Sequence, residues 1–105
     1  MKMHACSEYG ANLLFNCLGE GNRKRLMNYF REKRMLRTYF FLQMQGIRPD
    51  GTMVSIEEGR KNAEKGIIAV LESLKDERYA AKLKEFAIRR GLCIEKDYNE
   101  NTATH

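Results

Sequence analysis

Apolar residues recur at intervals of three and four along most of the chain, the period of a helix that rests one face on a core, and a single proline, Pro49, stands in the way. The pattern predicts an all-α fold, a compact bundle of about four helices over residues 7–18, 22–46, 55–74 and 76–90. Residues 1–94 are expected to form one helical domain, since 105 residues suffice for a single modest core. The C-terminal tail, residues 95–105, "EKDYNENTATH", is too polar to order itself and is expected to be disordered.

Local signals fix the ends of these elements. The first helix places Tyr9, Leu13 and Cys17 on one side, contains Gly10, and stops at Gly19, which can adopt a left-handed cap. The second is expected to begin at Asn22 as N-cap and run unbroken to Gly46, about 36 Å. "IRPDGT" then reverses the chain, because proline presets φ, aspartate bonds its own backbone and glycine accepts positive φ. Ser55 and Glu58 form a capping box at the head of the third helix. Its stripe of Ile56, Ala63, Ile67, Val70, Leu71 and Leu74 is flanked by Gly59 and Gly66, whose small size invites close approach of another helix. Asp76 caps the fourth helix, which packs through Tyr79, Ala80, Leu83, Phe86 and Ala87 and closes at Gly91; Leu92 and Ile94 fold back on the bundle.

The segment 22–46, "NRKRLMNYFREKRMLRTYFFLQMQG", changes character halfway. Its second half carries Met35, Leu36, Tyr39, Phe40, Phe41, Leu42 and Met44 around nearly the whole circumference, so it must be covered on all sides by the other helices or by a second copy of the chain. Tyr39, Phe40, Phe41, Leu42 and Met44 are the candidate interface of a homodimer, because a monomer that exposed them would carry an oversized apolar patch. The first half is basic. On a helical wheel, Lys33 and Arg37 fall in the middle of the stripe made by Leu26, Phe30, Phe40 and Met44. Three explanations compete: snorkelling stems or an ion pair to an acid on the third or fourth helix, a cationic patch facing a groove, or a distorted helix end.

Charge sharpens the second of these. Residues 1–46 hold eight Lys and Arg against three Glu, a balance of +5, whereas residues 47–105 hold eleven of each sign, so the whole net charge belongs to the first part. Arg23, Lys24, Arg25, Arg31, Lys33, Arg34 and Arg37 face one acid, Glu32, and form the candidate anion- or nucleic-acid-binding set. Tyr29, Phe30 and Tyr39 alternate with them, as base stacking in a single-strand binder requires. A helix-turn-helix is disfavoured. The connection after Gly46 is too long, and the third helix carries Glu57, Glu58, Glu64 and Glu72, which repel phosphate.

Catalytic chemistry finds little to use. Both histidines, His4 and His105, lie at the chain ends, and Gly19 and Gly21 make a lone "GEG" without a preceding strand. The thiols Cys6, Cys17 and Cys93 match no zinc spacing and no disulfide framework; they suit a reducing cytoplasm. No apolar run approaches the roughly 20 residues of a membrane helix, and the N-terminus lacks the pattern of a secretory leader. The sequence therefore predicts a small, non-enzymatic cytoplasmic protein without metal or cofactor, a protein-interaction or regulatory module that self-associates or binds another protein. The alternative is a nucleic-acid-binding accessory protein using residues 23–37, and a third reading is a regulator that holds an apolar or anionic ligand between helices.

Overall fold

The computed structural model describes residues 14–94. Four helices follow in order, α1 (Glu20–Glu32), α2 (Leu36–Met44), α3 (Ile56–Ser73) and α4 (Glu77–Arg89), and residues 14–17 are helical ahead of α1. The chain is thus an all-α bundle. Of the helix expected over 7–18 only the last turn falls within the described residues, and the tail 95–105 lies outside them.

The long helix expected over 22–46 is two helices. α1 starts after Gly19 rather than at Asn22, and it ends at Lys33 because Arg34 turns left-handed, at φ 58°. The stop has the paired bonds of a Schellman cap: Met35 N donates to Phe30 O at 2.8 Å and Arg34 N to Arg31 O at 3.1 Å. α2 then begins at Leu36 without a side-chain cap from its own N-cap residue, Met35. Tyr79 of α4 substitutes. Its hydroxyl accepts from Leu36 N at 3.2 Å and donates to Arg34 O, so one side chain from 43 and 45 residues away holds both sides of the break. The odd placement of Lys33 and Arg37 is therefore a helix-end effect, the third of the explanations weighed above. Both side chains are exposed, Lys33 at the C-terminal end of α1 and Arg37 in the first turn of α2, so the break cuts Lys33 off from the phase that Arg37 shares with Phe40 and Met44.

Gly19, expected to turn left-handed, is extended at φ −76°, ψ 165°, while the caps of α3 and α4 lie where the local signals put them. Ser55 Oγ accepts from Glu58 N at 3.1 Å and so caps α3, while the Glu58 carboxylate turns to Arg48 at 3.4 Å rather than completing the reciprocal bond of a capping box. Asp76 Oδ1 accepts from Arg78 N at 3.0 Å and Tyr79 N at 3.2 Å at the head of α4. Between α2 and α3, Ile47 pairs with Met53 in an antiparallel bridge. Asp50 Oδ1 accepts from Thr52 N at 3.0 Å and from its hydroxyl at 2.6 Å, which closes the turn.

α2 sits at the centre, touching each of the other three helices and packing most extensively on α3. Six of its nine residues are buried, Leu36, Tyr39, Phe40, Leu42, Gln43 and Met44. Each large apolar side chain buried here contributes about 1.5–3 kcal/mol, which offsets the weak intrinsic tendency of so short a helix to form. α3 approaches through its small residues. A Cβ at Gly59 would lie 2.9 Å from the backbone of Gly46, and one at Gly66 would lie 2.7 Å from the Phe40 ring. Ala63 between them is fully buried. The close contact expected at this stripe is α2 on α3. Leu92 and Ile94 do fold back into the core, at 5% and 1% exposure.

Candidate functional site

The five residues expected to form an interface are placed by this packing. Tyr39, Phe40, Leu42 and Met44 are buried against the chain's own helices, between 0 and 6% exposed, so they offer no surface to a second copy. Phe41 is half-buried and lies under the Arg90 guanidinium, 5.5 Å from the ring centroid. The expectation of a dimer surface here is corrected by an economy of the fold: the break at Arg34 leaves α2 short enough for α1, α3 and α4 to cover it.

The seven candidate cations divide. Arg23 turns inward, its Nε donating to Gly51 O and its Nη1 to Leu18 O and, at 3.4 Å, to Phe15 O. It ties the segment before α1 to the α2–α3 hairpin and is committed to that role, contrary to the expectation that it faces an anion. Lys24 and Arg25 are exposed on α1. Lys33 is exposed at the end of that helix and stands over the Tyr29 ring at 5.9 Å. Arg25, Tyr29 and Lys33 succeed one another at intervals of four, hence on one face. Of the three aromatics expected to alternate with cations, Tyr29 is 49% exposed, Phe30 half-buried and Tyr39 buried. Arg31 lies elsewhere, on the rim of a groove between α1, α2 and α3.

Arg34 and Arg37 meet cations that the sequence reading missed. Arg34 shares a cleft of about 390 Å³ with Lys75, Asp76 and Tyr79, its guanidinium 5.8 Å from the Tyr79 ring centroid. Arg37 shares a second, of about 310 Å³, with Lys82, Glu85, Phe86, Arg89 and Arg90. The clefts lie toward opposite ends of α4 and share no lining residue; we refer to the cations of the two, Arg34 and Lys75 in the first and Arg37, Lys82, Arg89 and Arg90 in the second, as the cationic seam. Its two acids are engaged. Asp76 caps α4, and Glu85 pairs with Arg89 at 3.2 Å. Arg90 is held by two rings, Phe41 at 5.5 Å and Phe86 at 5.3 Å, which fixes its charge in place. The signal was muted in the sequence: Lys82 and Arg89 recur seven positions apart on one side of α4, but Glu85 stands between them on that side, and acids elsewhere in residues 47–105 bring the sum to zero.

The groove that holds Arg31 is of another kind. Burial pushes the Tyr39 phenol up from its ordinary pKa, with the Arg31 charge and the Arg31 and Gln43 side chains pulling it the other way. Among the described residues, Cys17 and Cys93 are free and exposed, no group of three or more His, Cys, Asp or Glu is placed to hold a metal ion, and no helix is long and apolar enough to cross a membrane. Both histidines and Cys6 lie outside those residues. Comparison with protein-family models, with curated proteins and with solved structures gives no match for the chain.

Proposed function

We propose that the protein is a non-enzymatic binding module whose partner is a polyanion, and specifically the phosphate backbone of single-stranded nucleic acid. The observation that carries this reading is the α2–α4 seam, six cations of which one, Arg89, is paired with the lining acid Glu85, while the other lining acid, Asp76, is engaged as a helix cap. Arg37, Lys82, Arg89 and Arg90 line one cleft of about 310 Å³, which gathers their charges about a single site. Tyr29, exposed between Arg25 and Lys33, offers a face for base stacking. A duplex is a poorer fit, because no described helix stands free of the bundle for a major groove. This order reverses the one drawn from sequence, since four of the five side chains expected to carry self-association are in the core and Phe41 is half-buried. The exposed thiols suit a reducing compartment, and a cytoplasmic location goes with the proposal.

Titration of a labelled mixed-sequence single strand and of a duplex at about 50 and about 200 mM salt tests it. Binding to the single strand is expected to weaken steeply with salt, by a slope of roughly 0.7 per phosphate neutralised. The triple variant Arg37→Glu, Lys82→Glu, Arg89→Glu is expected to lose at least about tenfold at the lower salt while its thermal unfolding stays cooperative. Affinity indifferent to salt, or unchanged in the folded triple variant, would overturn the proposal.

A further inference from the structure

The groove at the other side of α2 has a different composition and points to a different ligand. It encloses about 430 Å³, within the roughly 300–1,000 Å³ of small-molecule sites. Leu36, Phe40 and Val70 supply an apolar floor, kept open because Gly66 presents no side chain to the Phe40 ring. Arg31, Arg48 and Lys65 stand around it, and its lining contains no carboxylate. Arg48 is partly compensated by Glu58 at 3.4 Å, and Arg31 donates to the neutral Asn28 Oδ1 at 3.3 Å, so Arg31 and Lys65 are the lining cations whose charge no carboxylate offsets within the groove. Two polar side chains, Tyr39 and Gln43, are buried in the same wall at 6% and 5% exposure. An apolar floor beside uncompensated cations, with a few fixed polar groups, matches a molecule that is apolar at one end and acidic at the other.

We propose that this groove binds a small amphipathic anion, an aromatic or aliphatic body bearing one carboxylate- or sulfonate-type group, with the body against Phe40 and Val70 and the acid between Arg31 and Lys65. The site is separate from the cationic seam. On α2 it uses Leu36, Tyr39, Phe40 and Gln43, whereas the seam uses Arg37. Occupancy of the groove ties α1, α2 and α3 together, so the ligand also stabilises the folded chain by mass action.

The test uses two fluorescent probes with the same apolar body, the anion 1-anilinonaphthalene-8-sulfonate and the uncharged N-phenyl-1-naphthylamine. The anion is expected to saturate at one per chain with a Kd of roughly tens of micromolar, and the neutral probe to bind at least about tenfold more weakly. Arg31→Gln with Lys65→Gln should weaken the anion about tenfold and the neutral probe less than about twofold. Val70→Trp fills the floor and should remove both, with cooperative unfolding by circular dichroism verifying that each variant folds. Unsaturable binding, equal loss of both probes in the double variant, or unchanged binding in Val70→Trp would each overturn the proposal. So would stoichiometric displacement of the anion by a single-stranded oligonucleotide, which would assign the groove to the polyanion; failure of the seam variant to affect nucleic acid leaves these readouts untouched.

Discussion

Two helices of this protein end with the same hydrogen bonds and different residues. α1 stops at Arg34 and α2 stops at Gly46, and at each the residue after the stop donates to a carbonyl five positions back: Met35 N to Phe30 O at 2.8 Å, Ile47 N to Leu42 O at 3.2 Å. Both turning residues have positive φ, 58° and 95°. Gly46 takes that conformation without steric cost and is buried against Val54 and α3. Arg34 takes it at a cost of about 1–2 kcal/mol, on the surface, because the Tyr79 hydroxyl holds the carbonyl of Arg34 and the amide of Leu36. One stop is built by the residue itself, and the other is imposed by a distant helix.

The two therefore break differently. Gly46→Ala should be the most damaging single change, destabilising by about 3 kcal/mol, since a Cβ there meets the Val54 carbonyl and also sits at positive φ. Gly59→Ala follows at about 2 kcal/mol, because its Cβ would lie 2.9 Å from the Gly46 backbone and push α3 off the end of α2. Urea unfolding monitored by circular dichroism measures both. A loss below about 1 kcal/mol at Gly46 would mean that the α2 stop relaxes more readily than its burial implies. Tyr79→Phe should cost less, about 1 kcal/mol, by removing the hydroxyl while keeping the ring. Its signature is local: hydrogen exchange at the Leu36 amide should accelerate well ahead of exchange in the α2–α3 contact, and equal acceleration throughout would show that the break has no support of its own.

The difference between the stops also explains what could be read from the chain. Gly46, Gly91, Ser55 and Asp76 act through conformational freedom or through bonds to amides two or three residues on, so sequence distance and spatial distance coincide. The small residues Gly59, Ala63 and Gly66 were legible as a contact stripe for the same reason: helix spacing alone puts them on one face. Arg34 has no intrinsic preference for a left-handed turn, and its clamp lies 45 residues away. Arg23 likewise has the composition of a surface cation and the position of a structural strut, because its acceptor at Gly51 comes from 28 residues on. The break did leave a trace, two cations in the middle of an apolar stripe, one on each side of it: Lys33 closes α1 and Arg37 lies in the first turn of α2. For the site, Arg34 and Arg37 were recognisable as cations, but the α4 half of the seam was concealed by summing charge along the chain instead of around the helix.

The smallest effect is the one that joins fold to site. Arg34→Gly relieves the positive φ, worth about 1 kcal/mol, and gives up the guanidinium over the Tyr79 ring, worth about 0.5 kcal/mol at an exposed position. The variant should therefore gain about 0.5 kcal/mol, a rise in Tm of roughly 2–4 °C for a domain of this size. The same change removes one cation from the seam, so the salt slope for a single strand should fall by roughly 0.7. Stability up and binding down in one substitution is the outcome expected where a strained residue is kept for its charge. Stability down would mean that the contact with Tyr79 outweighs the backbone strain, and stability up with an unaltered salt slope would remove Arg34 from the seam and leave the α1 stop as a purely structural device.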